Sequence, residues 1–115
     1  MTNNNVKLKP EELRSAAFGS VGAAYSAIGG AFEHPIVLFH LVNDLDEDIL
    51  VSFFNDEDHI FVKTGSFVLY DIAANSELPS GYRSFEKGTI VSVKRAGGAP
   101  TSGSVYLMTF YASGS

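Results

Sequence analysis

The chain is predicted to be mainly β: an antiparallel β-sandwich or jelly roll of seven to eight short strands with an N-terminal arm. Three observations carry that reading. β-Branched and aromatic residues recur in short runs from His34 onward, Asp, Asn, Gly and Pro punctuate them, and no long helical pattern intervenes. With 115 residues, 45% of them hydrophobic, one domain can enclose a single core.

Residues 1–17 are polar and form the arm, and the β domain spans 18–115. Within the arm, Lys9-Pro10-Glu11-Glu12-Leu13-Arg14 reads as one or two helical turns, because proline suits the first helical position and acids suit the first turn. Val6, Leu8 and Leu13 are its only large apolar groups, so the arm is expected to be loose in the free protein. Gly19, Gly22, Gly29 and Gly30 argue against helix between Phe18 and Phe32, and an extended segment is expected around Tyr25 to Ile28.

Strands are then expected at 35–43, 49–54, 59–63, 66–72, 88–95 and 104–112, with a weak one near Phe85. In Thr89-Ile90-Val91-Ser92-Val93-Lys94 the alternation points Val91 and Val93 inward, and Ser92 and Lys94 outward. The strands around Ile36–Phe39 and Val105–Tyr111 are apolar on both faces. In a two-layer sandwich one of those faces should be wet, so a second surface is expected to cover Phe39, Leu41, Tyr106, Phe110 or their opposite-parity neighbours. The arm can cover one such patch and another subunit can cover it too, and a closed homo-oligomer, a trimer or larger ring, is expected. The Gly- and Ser-rich loop Ala96–Gly103 is long enough to serve as a contact loop.

Composition excludes several kinds of function. The chain has no cysteine, hence no disulfide, thiolate catalysis or cysteine-held metal. No apolar run is long enough for a membrane-spanning helix, and the first thirteen residues lack the apolar stretch of a signal peptide, so membrane and Sec-type export are not expected. The net charge of −5 is uneven: residues 1–14 carry +1, residues 15–62 carry −8 with no Lys or Arg, and residues 63–115 carry +2. So acidic a body repels phosphate backbones, and nucleic acid is not an expected partner. Lys7, Lys9 and Arg14 are the only basic residues before Lys63, which suits docking on the acidic stretch of a neighbouring copy, with Leu8 and Leu13 in apolar grooves.

Candidate chemical sites are few. Asp44, Asp46 and Asp48 alternate as in the first half of a calcium loop, but Ile49 stands where the glycine belongs and Asn55 where the bidentate glutamate belongs. They read better as an acidic turn, so no metal is expected. Asn55-Asp56-Glu57-Asp58-His59 forms a second acidic turn, expected at the opposite end of the sheet. His34 and His40 lack metal-ligand spacing, and His40 is expected to be a satisfied core or interface residue. There is no G-x-S-x-G and no G-x-x-x-x-G-K, and the acids sit at turns without an apolar pocket to raise one pKa. No catalytic residue and no cofactor is expected. A calcium- or carbohydrate-binding β-sandwich is the alternative, with Tyr70, Tyr82 and Tyr111 as ligand groups beside the acidic turns.

The ordered segments Lys9–Arg14, Ala23-Ala24-Tyr25-Ser26-Ala27-Ile28-Gly29, His34-Pro35-Ile36-Val37, Gly65-Ser66-Phe67-Val68-Leu69-Tyr70-Asp71, Gly88–Lys94 and Ala99–Tyr106 together resemble small virion structural proteins of tailed bacteriophages. The similarity spans nearly the whole chain and rests on the order of structural motifs. It departs at the turn after the second main strand, where an Asp-Gly is frequent in such proteins and this chain has Asn55-Asp56-Glu57-Asp58. The resemblance implies a non-enzymatic particle component, either a capsid decoration (cement) protein or a head-tail connector at the neck. Its implied partners are copies of itself and the major capsid protein or neck and tail proteins. Its implied place is the virion, after synthesis in the host cytoplasm. Candidate interface residues are Lys7, Leu8, Lys9, Leu13, Arg14, Phe39, Tyr106 and Phe110.

Overall fold

The computed structural model describes residues 7–71 and 84–113. Nine strands form two antiparallel sheets: β1 (Lys7–Pro10), β2 (Arg14–Ala17), β3 (Ser26–Ala27), β4 (Leu38–Asn43), β5 (Ile49–Ser52), β6 (Ile60–Val62), β7 (Phe67–Asp71), β8 (Ser92–Arg95) and β9 (Ser104–Ser113). The larger sheet runs β1-β9-β4-β7, with β2 also on β9, and the smaller runs β3-β8-β5-β6. The fold is thus the β-sandwich expected from the punctuation of the sequence. The chain changes sheet between β4 and β5, returns between β6 and β7, and crosses again on either side of β8.

Alternation puts Phe39 and Leu41 of β4, Val105 and Leu107 of β9, Ile49 and Val51 of β5, and Val91 and Val93 beside or on β8 into one shared core. All of these are at most 1% exposed. Each such side chain contributes roughly 1.5–3 kcal/mol on leaving water. Phe39 is central: its ring lies 5.4 Å from Phe53 and 5.3 Å from Phe85, so it joins the sheets rather than facing a partner. Leu41 is likewise buried.

Asn43 closes the crossing from β4 to β5. It is fully buried, donates through Nδ2 to the Glu47 and Val62 carbonyls at 3.1 Å each, and accepts from Leu45 N–H at 3.0 Å. A buried amide with these partners meets the desolvation cost that an unpaired one would incur.

Two local expectations are corrected. The helical turns expected over Lys9–Arg14 do not form. Leu8 and Lys9 pair with Ala112 and Tyr111, while Ser15 and Ala16 pair with Tyr106 and Val105, so residues 7–17 edge the larger sheet. Long-range pairing along β9 outweighs a weak local helix signal. The strand expected at 88–95 begins only at Ser92, since Thr89 N–H bonds back to the Glu86 carbonyl in a turn. Ile72, at the end of the strand expected over 66–72, lies outside the described residues, and the weak strand near Phe85 is a single bridge to Ile36.

At the second acidic turn, Asn55 and Asp56 take φ of 59° and 50°, and Glu57 N–H reaches the Phe54 carbonyl at 3.4 Å. Consecutive left-handed residues match the twist of a hairpin, and Asn and Asp tolerate that region better than other side chains bearing Cβ. This pair therefore takes the place of an Asp-Gly turn.

Candidate protein-interaction surface

The outer face of the larger sheet follows from parity. If Phe39, Leu41, Val105 and Leu107 point inward, then Leu38, His40 and Val42 of β4, and Tyr106, Met108 and Phe110 of β9, point outward. The register with β7 places Phe67 opposite Val42 and Leu69 opposite His40, on the same face. Leu8 and Pro10 of β1 extend the face on the other side, opposite Ala112 and Phe110. Phe67 is 61% exposed and Leu69 51% on one edge strand, and Leu8 48% on the opposite edge, high values for large apolar groups on one sheet face. β4 and β9 contain no Asp, Glu, Lys or Arg. The only acid in this stretch of β7 is Asp71, at the corner beside Leu38.

His40 sits mid-face on β4. Its ring meets Phe67 edge-on at 5.2 Å, and its Nε2 is shielded from solvent with no hydrogen-bond partner among the described residues. Of the two places expected for a satisfied His40, core or interface, the chain by itself does not satisfy Nε2, whose neighbours on this face are apolar.

The remaining candidate residues divide between surface and interior. Lys7, Leu8, Lys9 and Leu13 are exposed, and Tyr106 lies on the outer face. Phe39 is core. Arg14 is held inside the chain: Nε donates to the Gly30 carbonyl at 2.9 Å, Nη1 to Thr109 Oγ1 at 3.0 Å, and Nη2 to Glu11 Oε1 at 2.9 Å and the Ala31 carbonyl at 3.0 Å. With its guanidinium also 5.2 Å from the centre of the Phe32 ring, it has no fork left for a neighbouring acid.

Glu11, opposite Arg14, was not singled out by sequence. Its side chain is 3% exposed, its Oε2 lies 2.7 Å from His34 Nδ1, and it also accepts from Glu33 N–H at 3.0 Å. Burial alone raises this carboxyl. The hydrogen bonds from His34 and Arg14, the Arg14 charge and the Glu33 amide outweigh burial and hold it below its ordinary value of 4.5. His34 in turn lies flat on Tyr111, centroids 3.6 Å apart.

The alternate acids do not converge on one point. Asp46 accepts from Thr101 N–H at 2.9 Å and Thr101 Oγ1–H at 2.5 Å, and more weakly from Ser102 N–H at 3.4 Å. The Thr101 hydroxyl, then its amide, depress the Asp46 pKa. Asp48 instead accepts from Thr64 N–H at 2.8 Å. These carboxylates tie two loops to the acidic turn, and no group of three potential ligands could hold a metal among the described residues. At the other end of β5, Asp58 accepts from the Tyr25 hydroxyl at 2.6 Å and lies 3.5 Å from Lys94 Nζ, which sits 4.9 Å over the Tyr25 ring. Burial first, then the bond to Asp58 and the charges of Asp58 and Asp56, push the Tyr25 hydroxyl well above its ordinary range.

Of the three tyrosines considered for sugar binding, Tyr82 lies outside the described residues. Tyr70 leans on Phe39 and Phe85, and one face of Tyr111 is taken by His34. An open groove of about 760 Å³ runs between the Phe53–Asp56 turn and residues 84–90. It brings neither tyrosine into its lining, and its ionisable groups, Asp56, Glu86 and Lys87, are exposed. No protein-family model, curated protein or solved structure matches the chain.

Proposed function

We propose that this chain is a non-enzymatic structural component of a tailed-phage particle, acting as a capsid decoration protein or head-tail connector by binding other protein surfaces. The observation that carries the reading is the outer face of the larger sheet, where Phe67 and Leu69 of β7 and Tyr106 of β9 stand exposed on either side of β4, a strand without charge. A free antiparallel sheet ordinarily alternates apolar inward and polar outward. Apolar residues on both faces of β4 and β9 suit a protein that spends its working life covered on both sides. The order of motifs that resembles virion proteins supplies the setting, and the part-buried tie of Glu11 to Arg14, with the surface tie of Asp46 to Thr101, gives a rigid module.

Particles purified by density gradient from cells producing an epitope-tagged chain provide the test. The tagged chain should co-migrate with complete particles. A folded Phe67→Asp, Leu69→Asp double variant should stay at the top of the gradient. Absence of the unaltered chain from purified particles, or normal incorporation of the double variant, would overturn the proposal.

A further inference from the structure

The outer face has one occupant that fits its chemistry: we propose that it is covered by the same face of a second copy of this chain, related by a two-fold axis. The inference rests on the reading above only in taking this face as a protein-binding surface.

Charge selects the occupant. A chain of net charge −5 repels its own copies unless they meet where the acids are absent. The eight acids between residues 15 and 62 all lie outside the nine strands, whereas β4 and β9, the middle of this face, hold none. A partner recognised by charge would find no charged side chain on these two strands.

Symmetry follows from there being one such face among the described residues. A single self-matching apolar surface closes as a two-fold pair, while a ring needs two different complementary patches. The outer face of the smaller sheet is no equivalent second patch, because Lys94 projects there beside Leu50, engaged with Tyr25 and Asp58.

Area is sufficient. Four strands about 4.8 Å apart, with β9 running roughly 30 Å, make a face of about 500 Å², so pairing two of them removes on the order of 1,000 Å², where specific interfaces begin. Near the centre of the face His40 Nε2 is already shielded from solvent, with the Phe67 ring edge-on to the imidazole.

The test uses the purified full chain with no other particle component. Sedimentation equilibrium should give twice the 12.3 kDa chain mass. Leu69→Asp and Phe67→Asp should each raise the dissociation constant about 100-fold, since each buries an unpaired charge, and leave a monomer with an unchanged circular dichroism spectrum. Phe61→Asp, exposed on the smaller sheet, should leave the dimer intact. Should either Asp variant unfold, the milder Leu69→Ser, read by the same shift in dissociation constant, replaces it. A monomer at about 100 μM, a trimer, or a dimer indifferent to Leu69 and Phe67 but broken by Phe61→Asp would each overturn the inference. A monomeric chain still found on particles removes the dimer and leaves the structural role standing; a dimer absent from particles does the reverse.

Discussion

Glu11 and Arg14 show how one ion pair can fasten three separate pieces of chain. The Glu11 carboxylate joins Arg14 on the edge strand, His34 before β4 and the Glu33 amide, and Arg14 carries the connection on to Gly30, Ala31 and Thr109. Because folding lowers the Glu11 pKa, its contribution is fully present above the ordinary value of 4.5 and is lost as pH falls through the lower folded value. Thermal stability should therefore drop more steeply below about pH 4.5 in the unaltered protein than in Glu11→Gln. The variant itself should lose about 1–3 kcal/mol near neutral pH, because the buried guanidinium loses its counter-charge. Parallel slopes in the two proteins would show that other acids govern acid unfolding. Sequence pointed to this segment through its basic residues and assigned them outward, since nothing in residues 9–14 reveals that the Gly30 and Ala31 carbonyls come within reach of Arg14. That proximity is a product of tertiary pairing with β9.

Among the elements, strands were legible where alternation was strong and blurred where turns competed. β4, β5, β6, β7 and β9 fall inside or within one residue of their expected spans, because β-branched runs between Asp, Asn and Gly leave few alternatives. β1 and β2 were missed: their one large aliphatic group, Leu8, gave no period-two signal, and they are strands because β9 offers an edge. The loop before β9 imposes a sharper constraint. Gly103 has φ of +90°, and a Cβ there would sit 2.0 Å from the Asp44 carbonyl oxygen. Neither that backbone conformation nor that approach can accommodate a methyl group. Gly103→Ala should thus cost more than about 2 kcal/mol in urea unfolding, well beyond the few tenths usual for a surface change. The equivalent substitution at Gly97, which has no atom within 4 Å and no positive φ, should fall within that smaller range. Equal effects at the two positions would show that the loop is free to move away from Asp44.

At the scale of the whole molecule, the decisive question is whether residues 1–17 are an appendage or part of the sandwich. The sequence reads them as an arm because the segment is polar. The pairing argues otherwise: β1 and β2 cover Leu107, Tyr111 and their neighbours along one side of β9, and Ala16, at 7% exposure, belongs to the core. Removing them would take away Glu11, Arg14 and Ala16 together, open the side of Phe32 over which the guanidinium lies, and leave the N–H and C=O groups of β9 without a partner strand. Even if the hydrogen bonds are each worth only about 1 kcal/mol net, the buried ion pair and the opened core edge bring the loss to roughly 3–5 kcal/mol, a large share of the stability of a domain this size. Deleting residues 1–17 should therefore lower the melting temperature by at least about 10 °C and make the domain prone to aggregate through the bared strand, while Lys7→Ala and Lys9→Ala, which alter only exposed side chains of β1, should leave it nearly unchanged. The measurement is calorimetry on the full chain and the three variants at one concentration, because a chain that pairs with itself melts at a temperature that depends on concentration. A truncated domain that melts with the full chain would return residues 1–17 to the status of a detachable arm.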